Sequence, residues 1–139
     1  MNPIPRDTVR HLIVRTPNWL GDTVMALPTL RALRAGLSRV RISLVGAWAE
    51  LLEGQSVADD WVVYPRAWMD RLAAAARIRG LGADTALLLP NSFEAALAAW
   101  VWGTRRRIGF DTDRRRYLLT HPLEAPPQRR LCRQEICRV

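Results

Sequence analysis

The chain contains no lysine: all 21 of its basic residues are Arg. It has two cysteines and two histidines in 139 residues, and no apolar run of the ~18–20 residues needed to cross a bilayer. Each shortage excludes something. Cys132 and Cys137 lie near the end of the chain with no His beside them, so a zinc site there lacks at least two ligands. They read as reduced thiols. His11 and His121 have no Ser or Cys partner at a recognisable spacing, which leaves nucleophilic catalysis without a base. The opening, Met1 to Arg10, has Pro3, Pro5, Arg6, Asp7 and Arg10 but no apolar signal-peptide core, so the expected compartment is the cytoplasm. Two glycine fingerprints are also missing. The first loop lacks G-x-G-x-x-G, and without lysine there is no G-x-x-x-x-G-K-[ST] phosphate loop. Nothing in the sequence asks for a metal or a cofactor.

What is present is a globular composition, 49% hydrophobic and 24% charged, at the length of one domain. The net charge of +8 is unevenly placed. Residues 1–104 hold eleven Arg against nine acids; residues 105–139 hold ten Arg against four. A biased base composition produces an all-Arg complement without any function attached. The guanidinium fork nevertheless suits phosphate and carboxylate, which points to an acidic partner near the C-terminal third.

Strand-like and helix-like patterns alternate along the chain. His11 to Arg15 is a short β-branched run, followed by a loop punctuated by Pro17 and Gly21. From Asp22, Val24, Leu27, Leu30, Leu33 and Leu37 recur at helical spacing, with Pro28 expected to kink the helix by removing the bond to the Val24 carbonyl. Further strands are expected at 40–45, 61–64, 85–89 and 107–110, and helices at 48–52, 68–78 and 93–102, with Gly80, Gly82 and Gly103 as stops. Order is expected to fade beyond Tyr117, with a linker or frayed tail from Glu124. Apolar strands alternating with helices predict an α/β, doubly wound (Rossmann-like) parallel sheet covered on both faces.

In such a sheet, ligands bind beyond the carboxyl ends of the strands. Three loops there carry polar residues: Thr16 to Asp22, Pro90-Asn91-Ser92, and Asp111 to Arg116. In the first, Gly21 suits a tight turn. Asp22 has two readings that compete: a helix N-cap, or a carboxylate aimed into a cleft to take a proton from a hydroxyl. Capping lowers an Asp pKa, whereas a base wants it raised. In the second, Asn91 or Ser92 caps the following helix and Glu94 suits its dipole. In the third, Arg114-Arg115-Arg116 stands at the binding edge, while Arg105-Arg106-Arg107 reads as a solvated face. The six Trp read as core and domain-contact residues.

Three segments, in order, resemble the family 9 glycosyltransferases, among them the ADP-heptose:lipopolysaccharide heptosyltransferases. They are Leu12-Ile13-Val14-Arg15-Thr16-Pro17-Asn18-Trp19-Leu20-Gly21-Asp22-Thr23-Val24-Met25, then Leu88-Leu89-Pro90-Asn91-Ser92-Phe93-Glu94-Ala95-Ala96 in its heptosyltransferase II form, then Arg107 to Thr120. The resemblance implies an inverting transferase of GT-B architecture, with two facing Rossmann-like domains. It moves L-glycero-D-manno-heptose from ADP-heptose to the lipid-linked inner core of lipopolysaccharide. Residues 1–123 then correspond to the acceptor-side domain and 124–139 to a linker or tail, with the donor domain absent. The resemblance makes Asp22 the general base and puts Asn18, Gly21, Asn91, Ser92, Arg114, Arg115 and Arg116 on the acceptor. It implies no nucleic acid, and a peripheral contact with the cytoplasmic face of the inner membrane. The expectation for this chain alone is no transfer, since the positioning and leaving-group stabilisation of the other wall are missing. Two other classes compete: a basic nucleic-acid-binding module, and a noncatalytic remnant with Trp100 and Trp102 exposed on a domain-facing surface.

Overall fold

The apolar run His11–Arg15 forms β1, buried along its whole length, and four parallel strands follow it at intervals: β2 (Arg41–Gly46), β3 (Asp60–Val63), β4 (Thr85–Leu88) and β5 (Arg106–Phe110). A sixth, β6 (His121–Leu123), pairs parallel to β5 with Gly109 opposite Pro122. The computed structural model describes residues 4–125, so the Arg-rich end from Arg129, with Cys132 and Cys137, lies outside the described residues. The sheet order is β3-β2-β1-β4-β5-β6, the Rossmann order that reverses direction between β1 and β4. The expected doubly wound class is therefore the observed one.

Side chains of successive strand residues point to opposite faces, and each face has its own core. On one, Ile13, Val45, Ala86 and Leu88 pack with Ile78 of α3 (Trp68–Gly80) and with Ala96, Ala98 and Ala99 of α4 (Phe93–Val101). On the other, Leu12, Val14, Ile42 and Leu44 pack against Leu30 and a single turn at Ala49–Leu52. A fully buried Ile or Leu of this kind contributes about 1.5–3 kcal/mol. α4 presents alanine rather than bulk inward, which lets the helix lie close to the sheet.

Five expectations need correction. The first helix is two: Leu20–Met25 (α1) and Leu27–Gly36 (α2), broken at Ala26 because Pro28, in the first turn of α2, has no N–H for the Val24 carbonyl. Asp22 is not an N-cap, since α1 starts earlier, with Trp19 in the cap position and no side-chain cap bond. Gly21 makes no tight turn; it lies inside α1, with open space where a Cβ would stand. Order does not fade at Tyr117, because β6 and a short turn at Arg116–Leu118 follow. Of the two tryptophans expected at an exposed surface, Trp100 is exposed but Trp102 is buried in the core against Tyr64.

Candidate functional site

The loops that follow β1, β4 and β5 are neighbours at the carboxyl edge, and β1 and β4 flank the point where the strand order reverses. The first loop is pinned from below. Thr16 N donates to Val45 O at 2.9 Å, and buried Thr23 Oγ1 donates to Trp19 O at 2.9 Å and Pro17 O at 3.2 Å. That anchoring leaves Asn18, Trp19 and Asp22 exposed at the rim. Asp22 borders a hollow of about 330 Å³ whose other wall is Leu89, Pro90, Asn91 and Ser92. Asn18 lines it too. Of the two candidates for capping α4, Ser92 does so, its Oγ accepting from Ala95 N at 3.3 Å, which leaves the hydroxyl proton free to donate elsewhere.

The third loop is clipped to the second. Thr112 Oγ1 donates to Asn91 O at 3.1 Å, and Asp113 Oδ2 accepts from Phe93 N at 2.6 Å. Asp113 and Arg114 both take positive φ, 52° and 54°, an uncommon pair for residues with side chains. The three arginines then part company. Arg114 is exposed. Arg115 is buried at 0% exposure: its Nε donates to Phe110 O at 2.9 Å, and its Nη1 to Pro90 O at 2.6 Å and Ser92 O at 3.0 Å. Burial pushes the pKa of its guanidinium down. The expectation that Arg115 faces an acceptor is therefore corrected; its head staples two loops together from inside. Arg116 is exposed and paired with Asp111 at 2.6 Å, beside a separate hollow of about 530 Å³ bounded by Pro122, Leu123 and Glu124. The structure thus brings Asp22, Asn18, Asn91 and Ser92 to one hollow, and places Arg116 at another on the same edge.

Sequence reasoning missed a cluster beside the first loop. Arg15, at the end of β1, is 2% exposed, and its Nη2 donates to Asn18 Oδ1 at 2.9 Å. Its guanidinium lies 4.5 Å from the Tyr64 ring centroid and 3.9 Å from Glu94 Oε2. Glu94 also accepts from the Tyr64 hydroxyl at 3.1 Å and sits 3.4 Å from Arg71 Nη1. Burial first, and the Glu94 charge second, push the Tyr64 phenol up to about 12. One signal was available: an Arg that closes an otherwise apolar, buried strand. Its partners, 49 to 79 residues further on, had none.

No family model matches the chain and no curated protein matches it. Solved structures do. The E. coli ADP-heptose LPS heptosyltransferase II superposes with a TM-score of 0.67 at 28% identity, over 78% of this chain and 33% of that one. A family 9 glycosyl transferase from Veillonella parvula gives a TM-score of 0.71 at 16% identity, over 87% of this chain and 37% of that one, a likeness of fold alone. The chain spans about a third of the length of each.

Proposed function

Because the chain shares its fold with the family 9 glycosyltransferases and resembles their motifs, we propose that it is the acceptor-side domain of a heptosyltransferase of that family. The observation that carries this reading is the hollow shared by Asp22, Asn18, Asn91 and Ser92, which opens where the sheet order reverses and a ligand is expected. In the proposed reaction the acceptor hydroxyl attacks the anomeric carbon of ADP-heptose. The bond to the ADP oxygen breaks with inversion, and Asp22 takes the hydroxyl proton. Asn91, Ser92 and Asn18 hold sugar hydroxyls, since short polar side chains both donate and accept. Gly21 keeps the approach to Asp22 free of a side chain. Arg114 and Arg116, the two exposed members of their triplet, face the phosphates and acidic sugars of lipopolysaccharide core. ADP-heptose is held by a second domain, and the reaction takes place on the cytoplasmic face of the inner membrane. Among the described residues no helix is long and apolar enough to cross a membrane.

Titration calorimetry on the 139-residue chain tests the reading. Heptose-acceptor core oligosaccharide binds, ADP-heptose does not, and no heptose is transferred. Binding of ADP-heptose, or transfer by this chain alone, refutes it. Salt-sensitive binding to unrelated RNA with none to core oligosaccharide favours a nucleic-acid module instead.

A further inference from the structure

Arg15 is a buried cation short of a counter-charge. The carboxylate nearest it is Glu94, at 3.9 Å, and Glu94 is shared with Arg71 at 3.4 Å and with the Tyr64 hydroxyl at 3.1 Å. The remaining partners of the Arg15 head are neutral oxygens, Thr16 O at 3.1 Å, Asn18 Oδ1 at 2.9 Å and Val45 O at 3.5 Å, and its Nε is buried with no partner at all. A guanidinium taken out of water and left part-neutralised is costly unless something anionic joins it. Above it lies a hollow of about 350 Å³ lined by Arg15, Asn18, Trp19, Tyr64, Arg66 and Arg71. Arg66 is exposed at the rim, 5.6 Å from the Trp48 ring centroid, and Arg71 lies 5.3 Å from that of Tyr64. Three arginines therefore line a space of sugar size.

We propose that this hollow is a subsite for an oxyanion carried by a sugar, a phosphate monoester or a carboxylate, gripped by Arg66 and Arg71 over the buried charge of Arg15. Guanidinium forks match both groups in geometry and bind them through charge-assisted hydrogen bonds. Trp19, 72% exposed, offers a flat face to the attached ring. The subsite deepens the acceptor reading and rests on it for one point, the identity of the sugar. Asn18 and Trp19 line both this hollow and the one beside Asp22. An acceptor spanning the two has its anionic group over Arg15 and its hydroxyl near Asp22. Asn18 is fixed by Arg15, so anion binding and the position of Asn18 are mechanically joined. The second Arg triplet does not offer the same site, because Arg115 is turned onto carbonyls and Arg116 onto Asp111.

The test is a titration of the 139-residue chain, with its arginine Nε–H groups observed by NMR, using inorganic phosphate in one arm and glucuronate in the other at constant ionic strength. The expected result is saturable shifts of the Arg15 and Arg71 signals; the arm that saturates identifies phosphate or carboxylate as the group. Arg66→Gln, at an exposed position, and Arg71→Gln each weaken binding about tenfold, whereas Arg39→Gln, exposed and outside the hollow, leaves it unchanged. Shifts that match those produced by chloride, or equal affinity in the native chain and Arg66→Gln, overturn the subsite. Core oligosaccharide separates the two readings. If it binds the native chain and both variants equally, the subsite falls and the acceptor reading stands. If it does not bind while phosphate saturates in an Arg66-dependent way, the acceptor reading falls and the subsite stands.

Discussion

The two edges of the sheet treat charge in opposite ways. At the amino edge, where the strands begin, acids and bases meet directly. Arg41 grips Asp60 at 2.8 Å, Arg34 meets Asp59 at 2.6 Å, and Asp84 accepts from the backbone N–H of Arg10 at 2.9 Å with Arg106 3.8 Å away. Even buried His11 is enclosed there, between Ser43 Oγ at 2.7 Å and Leu81 O at 3.2 Å. At the carboxyl edge, Arg15 shares one distant carboxylate, Arg115 has only carbonyls for partners, and Asp22 stands exposed. Apart from the Arg116–Asp111 pair at 2.6 Å and the Arg71–Glu94 pair at 3.4 Å, these charges of the carboxyl edge lack a close counter-ion, and that is the edge where the proposed acceptor binds.

The contrast can be broken most sharply at Asp22. With a donor domain supplied, Asp22→Asn is expected to lower the initial rate of heptose transfer by roughly 10²–10⁴-fold, with circular dichroism unchanged because the residue is exposed. A rate within tenfold of the native one removes the base from the mechanism. Next in size is Arg115→Met, which deprives three carbonyls, that of Pro90 buried, of a donor. A loss of about 3 kcal/mol in urea unfolding is expected, and a neutral result would return Arg115 to the list of free cations. The smallest effect belongs to the amino edge. The Arg41 hydrogen bonds, helped by Ser43 and opposed by burial, hold the Asp60 carboxyl below its ordinary 3.8. Its contribution is thus complete above that ordinary value and is lost as pH falls through the lower value in the fold. Asp60→Asn should flatten that part of an acid-unfolding curve while costing under about 1 kcal/mol at neutral pH.

What could be read in the sequence was local. β1 to β5 and the main helices announce themselves through apolar runs and the punctuation of Gly80, Gly82 and Gly103, and the loops at strand ends follow from them. β6 was hidden because His121-Pro122-Leu123 has three residues and a proline, a combination tolerated at an edge where the missing N–H has no strand to reach. The start of α1 was misjudged because Trp19 occupies the cap position that polar residues ordinarily fill. The role of Arg115 was hidden for a different reason. A triplet of identical residues looks uniform in one dimension, and only the positive φ values of Asp113 and Arg114 turn the middle arginine inward. The Arg15, Tyr64, Arg71 and Glu94 cluster joins β1, the residue after β3, α3 and α4, and leaves no periodic trace.

Gly46, at the end of β2, has a role out of proportion to its size. A methyl group there would overlap the Thr16 hydroxyl and stand 3.3 Å from Arg15 Nη1. The turn bearing Asn18 and Asp22 is seated against bare backbone, with no clearance beneath it. The smallest enlargement of that seat would lift the turn from underneath, retuning the rim without altering any group a ligand could touch.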